Sequence, residues 1–83
     1  MKSAQPARIR VNAMKMRFLV MKQGGPHESE GFGTHRELYT ALLRRGIKGD
    51  QALLAALDVL TNIQNQSPYT CYGEGYTIVA EAC

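Results

Sequence analysis

The chain has 83 residues, 45% of them hydrophobic and 20% charged, with a formal net charge of +3. That length holds one domain and a thin core, since a chain this short buries only about 60% of its unfolded surface. The hydrophobic fraction excludes a disordered chain, and the longest apolar run, Ala52 to Leu57, falls far short of the roughly 20 residues of a membrane span.

Residues 1 to 7 read as a flexible basic arm, containing Pro6 and no apolar period. From Arg8 the pattern alternates, with Ile9, Val11 and Ala13 on odd positions. The phase then flips, and Met14, Met16, Phe18 and Val20 take even positions. Period-2 alternation predicts a half-buried strand, and a phase flip predicts a bulge, a bend or a second segment. The expected strand runs from about Lys15 to Lys22, with a bulged or paired piece around Arg8 to Val11; the arm then covers 1 to 7 or extends to 13. Leu19 and Met21 fall on the less buried face, available to the arm or to a partner.

Gln23 to Gly33 contains Gly24, Gly25, Pro26, Gly31 and Gly33, and reads as a loop. Thr34 followed by Glu37 fits a capping box, each side chain satisfying a free amide of the first helical turn. Leu38, Tyr39, Leu42 and Leu43 give a helix ending near Arg45, with Gly46 as its left-handed stop. Asp50 is the expected N-cap of a second helix. Its buried face is read as Leu53, Leu57, Leu60 and Gln64, with Ala56 and Ile63 beside them, and its end as Gln66, ahead of Pro68.

Tyr69 to Tyr72 and Gly75 to Ala82 read as a hairpin around a Gly73-Glu74 turn. A two-residue turn with Gly first pairs Cys71 with Tyr76 and Tyr69 with Ile78. It puts Tyr69, Cys71, Tyr76, Ile78 and Ala80 on one face, and Thr70, Tyr72, Thr77, Val79 and Glu81 on the other. Cys83 then lies about seven residues past the partner of Cys71, over 20 Å at about 3.3 Å per residue, too far for a disulfide. Two reduced thiols and the lack of an apolar N-terminal stretch predict a cytoplasmic protein.

The expected fold is a single α+β domain over residues 1–83, a small two-layer sandwich in the order β-α-α-β-β. A mainly antiparallel three-stranded sheet packs on a two-helix hairpin.

Charge is distributed unevenly. Residues 1 to 22 carry +6, from Lys2, Arg8, Arg10, Lys15, Arg17 and Lys22, and the rest carry −3. Cations spaced by two along a strand can follow phosphates, and Arg44, Arg45 and Lys48 extend the basic set. Strand readers of nucleic acid add exposed aromatics, yet Phe18, the one aromatic of the first strand, faces the core. Gly31-Phe32-Gly33-Thr34 lacks the Lys of a Walker loop and the third Gly of a dinucleotide fingerprint. His27, Glu28, Glu30, His35 and Cys71 lack the paired spacing of a zinc site. Ser3, Ser29 and Ser67 sit in no nucleophile motif. No catalytic residue, cofactor or metal site is therefore assigned.

Tyr69, Tyr72 and Tyr76 crowd one hairpin, and Tyr72 is expected to face away from the core, as interface tyrosines do. The residues singled out for partner binding are Arg8, Arg10, Lys15, Arg17, Phe32, Arg44, Arg45, Tyr72 and Glu74. The cations would steer association, and Phe32 and Tyr72 would anchor it. In size and lopsided charge, though in no particular motif, the chain resembles the small proteins that phages encode against host defence, anti-CRISPR inhibitors among them. That resemblance implies a non-catalytic protein that inhibits or regulates a larger protein or nucleoprotein complex. The alternative is a direct DNA- or RNA-binding module using the basic N-terminal region. A membrane partner is not expected, and the chain is expected to be a monomer or a homodimer.

Overall fold

A computed structural model describes residues 14–24 and 28–83. The elements are β1 (Met16–Lys22), β2 (Glu28–Gly33), α1 (His35–Arg44), α2 (Gly49–Asn62), β3 (Tyr69–Gly73) and β4 (Tyr76–Ala82). One antiparallel sheet of four strands runs in the order β2-β1-β4-β3. Both helices lie against one face of it. The fold is thus a small α+β domain of two layers, as the sequence predicts, with one strand more than expected. The segment read around Arg8 to Val11 and the basic arm lie outside the described residues.

The alternation of β1 works as read. Met16, Phe18 and Val20 are buried and Arg17 is exposed, while Lys22, of the same parity as the buried three, is exposed at the end of the strand on the helical side. Ile78 and Ala80 of β4 join them from the next strand, and Leu38 and Leu42 of α1 close the core from the other layer. The capping box is complete. Thr34 N–H donates to Glu37 Oε1 at 2.7 Å, and Arg36 N–H donates to Thr34 Oγ1 at 3.3 Å. At the far end of α1, Gly46 takes a φ of +88°, and the Lys22 ammonium donates to the Arg45 carbonyl at 3.0 Å. A cation there complements the negative end of the helix dipole.

The glycine-rich stretch differs from the expected loop: Glu28–Gly33 is an edge strand paired with β1 from Met16↔Gly33 to Met21↔Glu28. Its glycines are compatible with pairing because one of them makes room for a ring. A Cβ on Gly31 would collide with the Phe18 ring, and one on Gly73 of β3 would fall inside the Tyr76 ring. Each edge strand thus offers a glycine to an aromatic of its inner neighbour, and the ring covers backbone that a side chain would otherwise shield.

The hairpin register also differs. Cys71 pairs with Ile78 and Gly73 with Tyr76, so the turn is Glu74-Gly75. The register is shifted by two from the expected one because Gly75, with φ +84°, supplies the left-handed position. A shift of two preserves parity, so both faces keep their expected residues. Cys83 lies five residues beyond the partner of Cys71, and both cysteines are free.

The second helix departs most from expectation. It starts one residue after Lys48, whose side chain makes no capping bond, and it ends at Asn62. Asp50 instead accepts from the Gln51 amide at 2.9 Å. Ala52, Ala55, Ala56, Val59 and Leu60 are buried, whereas Leu53 and Leu57 are exposed, as is Gln64 just beyond the helix. Alanines let the helix lie close to the sheet, while Val59, Leu60 and Ile63 set its rotation.

Candidate functional site

With both helices on one face, the other face of the sheet is left without a covering layer of described residues. The ladder defines its rows. Phe32, Arg17 and Glu81 lie abreast, then Glu30, Leu19, Val79 and Thr70, then Glu28, Met21, Thr77 and Tyr72. Leu19, Val79 and Met21 are half-buried by their neighbours and form the apolar middle. Phe32 on one edge strand is 55% exposed and Tyr72 on the other is 82% exposed. The strands between them, about 4.8 Å apart, and the offset along the ladder separate these aromatics by roughly 20 Å. A shallow depression of about 370 Å³ runs across this face, lined by Arg17, Leu19, Glu30, Pro68, Val79 and Glu81 among others.

The electrostatics of this face run against the chain's overall sign. Its charged side chains on the paired strands are Arg17, Glu28, Glu30 and Glu81, and exposed Lys15, two residues before Arg17, has the same parity, so three acids stand with two cations among the described residues. Phosphate recognition needs the reverse. The face combines a half-buried apolar centre, exposed aromatics on its two edge strands and charged side chains around them.

The residues singled out from sequence do not all converge. Arg17, Phe32 and Tyr72 share the open face. Lys15 is exposed just before β1, where its carbonyl accepts from the Cys83 amide at 3.1 Å. Arg44 lies on the helical side, in a groove of about 320 Å³ between β2 and α1 that it shares with Glu30, Phe32, Glu37 and Thr40. Arg45, at the C-cap of α1, is half-buried. Glu74 occupies the β3–β4 turn and faces a recess shared with Lys22 and Lys48. Arg8 and Arg10 lie outside the described residues. The exposed leucines Leu43, Leu53, Leu54 and Leu57 were not singled out from sequence; on helices, apolar residues are assigned to the core by default.

The densest polar chemistry is structural. Tyr69 donates to Asp58 Oδ2 at 2.7 Å, and Asn62 Nδ2 donates to Asp58 Oδ1 at 3.0 Å. The bond to Asp58, assisted by desolvation, pushes the Tyr69 hydroxyl up to about 12. Burial, with Asp58 adding to it, pushes the Cys71 thiol up to about 11. A thiol held protonated is a poor nucleophile. Among the described residues, no group of three His, Cys, Asp or Glu side chains is placed to hold a metal ion. No helix of the described residues is long and apolar enough to cross a membrane. No protein-family model, curated protein or solved structure matches the chain.

Proposed function

We propose that this chain is a small non-catalytic binding protein that inhibits or regulates a larger protein or nucleoprotein complex, and that it docks through the open face of its sheet. The observation that carries the reading is the placement of Phe32 and Tyr72 at opposite edges of one face, with Leu19, Met21 and Val79 between them. Large aromatic side chains, tyrosine above all, are enriched among the residues that dominate binding energy. The acids on that face favour a protein partner over a phosphate backbone. A cytoplasmic site of action, in keeping with two free thiols, and the kinship in build with phage-encoded inhibitors belong to the same proposal.

The test begins with affinity capture from a host lysate, run in parallel with the wild-type chain and with Phe32→Ala and Tyr72→Ala. The captured complex is then rebuilt from purified components and its dissociation constant measured. Each alanine variant is expected to weaken binding about tenfold or more, as hot-spot truncations do, and Gln64→Ala to leave it unchanged. Full binding by both aromatic variants would overturn the reading. Nucleic-acid anisotropy supplies the second arm. Binding that falls steeply with salt, and that is lost when Arg8, Arg10, Lys15 and Arg17 are replaced together by alanine, would establish the nucleic-acid module instead.

A further inference from the structure

The strand β2 is an edge of the sheet, and the bonding parity of the ladder shows which of its backbone groups are left over. In an antiparallel pair, opposed residues alternate between those that exchange backbone bonds and those that do not. Cys83 N–H donates to the Lys15 carbonyl at 3.1 Å, and Gln23 N–H donates to the Gly75 carbonyl at 2.8 Å. Odd positions of β1 therefore bond to β4, and even positions bond to β2. Met16, Phe18 and Val20 take Gly33, Gly31 and Ser29 as partners. The amides and carbonyls of Glu28, Glu30 and Phe32 point outward, a row with the spacing of a further strand.

The two sides of this edge differ in chemistry. On the open face, Glu28 and Glu30 stand abreast of Met21 and Leu19, so neither has a cation beside it on β1. On the helical side β2 presents only Ser29, Gly31 and Gly33, and the groove of about 320 Å³ between β2 and α1 has Phe18 and Ala41 in its wall. A strand that suits both sides alternates cations with apolar residues. Arg8-Ile9-Arg10-Val11 has that alternation and lies a few residues before β1.

We propose that residues 8–11 form a fifth strand on the outer edge of β2, parallel to it. Residues 12–14 cross the end of β2, because two strand spacings of about 4.8 Å equal three residues at about 3.3 Å each. That crossing sets the register, with Arg10 beside Phe32 and Arg8 beside Glu30. Ile9 then lies beside Gly31, next to the Phe18 ring that covers this glycine. Its N–H donates to the Glu30 carbonyl, and its carbonyl accepts from the Phe32 amide. Opposite charges meet at Arg8 and Glu30, and a guanidinium lies against an aromatic ring at Arg10 and Phe32. Both arginines join the open face, but held by these neighbours rather than free to follow a phosphate backbone. The pairing does not depend on the docking role proposed above.

Amide hydrogen exchange of the full chain, read residue by residue by NMR, tests this. The Phe32 amide points off the sheet and is unprotected if nothing pairs with it. In the wild type it is expected to exchange about tenfold or more slowly than in Ile9→Pro, which removes the donor at the centre of the pairing. The Gly31 amide, bonded to β1, is the control and is expected to be alike in both. Arg8→Glu is expected to lose most of the protection, and Arg8→Glu with Glu30→Arg to regain it. Cross-strand Overhauser contacts between Ile9 and Gly31 in the wild type check the register without any substitution. A Phe32 amide as fast in the wild type as in Ile9→Pro, or no contact between Ile9 and Gly31, would overturn the proposal. So would protection that appears only as the sedimenting mass doubles, since the strand would then come from a second copy.

Discussion

The Tyr69 hydroxyl donates to Asp58 Oδ2 across 2.7 Å, tying β3 to α2 through two residues eleven positions apart. The bond fixes the edge hairpin to the helical layer, and Asn62 holds the same carboxylate from the next turn of the helix. Tyr69→Phe keeps the ring and removes the donor. The expected result is a thermal midpoint lower by a few degrees, with the far-UV spectrum retained. An unchanged midpoint would show that the bond contributes nothing net.

The same cluster sets an alkaline limit to stability. Tyr69 rises from 10.0 to about 12, through its bond to Asp58 and then desolvation. Cys71 rises from 9.0 to about 11, through burial and then Asp58. Both groups keep their protons to higher pH in the folded chain than in the unfolded one. Their stabilisation is therefore complete below pH 9 and is lost as pH climbs through 9 to 12. Thermal midpoints measured across that range should fall for the wild type and fall less for Tyr69→Phe.

Thiol chemistry should separate the two cysteines. Cys71 is buried and held protonated, while Cys83 is exposed. At pH 8, a thiol-titrating disulfide reagent is expected to consume one equivalent promptly in the native protein and a second only in denaturant. In Cys83→Ser the prompt equivalent disappears. Rapid reaction of Cys71 in the native state would contradict its placement against α2 and β4.

The capping box predicts an acid limit as well. Hydrogen bonds from Thr34 hold the Glu37 carboxyl below its usual value. Its contribution is present above the unfolded value of 4.5 and is lost as pH falls through the folded value. Thr34→Ala removes the cap and costs about 1 kcal/mol, and the acid side of the stability profile should flatten in the variant. Urea midpoints at pH 7 and pH 3 for both proteins measure this.

What the sequence reveals depends on whether local pattern or tertiary pairing sets each element. The strand β1 is legible because Met14, Met16, Phe18 and Val20 take alternate positions with Lys15 and Arg17 among them, and α1 because Thr34 and Glu37 mark its start. The strand β2 is not, since Glu28–Gly33 has one large apolar residue and two glycines. Its extended form comes from pairing with β1 and from the Phe18 ring over Gly31. In the hairpin, parity places Tyr72 and Val79 on the open face even though the expected register is off by two. That is why Phe32, Arg17 and Tyr72 are identifiable as single residues, while their common face emerges only once β2 is known to be a strand. The rotation of α2 is hidden for another reason. Ala52 to Leu57 is apolar on every side, so periodicity there has no phase, and size alone points the wrong way.

That reversed helix gives the sharpest test of the packing. Were the leucines the core face, Leu54→Ala and Leu57→Ala would be severe and Ala56→Leu would be mild. The structure requires the opposite order. Leu54 is mostly exposed, so Leu54→Ala should change protomer stability by no more than about 0.5 kcal/mol. Ala56 has no exposed surface, and enlarging it to Leu should cost about 1–3 kcal/mol through overpacking against the sheet. Leu42→Ala, at a fully buried site of α1, sets the scale for a core deletion at about 2–5 kcal/mol. Denaturant unfolding of the three variants ranks them. A ranking with Leu54→Ala above Ala56→Leu would mean that α2 is rotated by about half a turn from its position here.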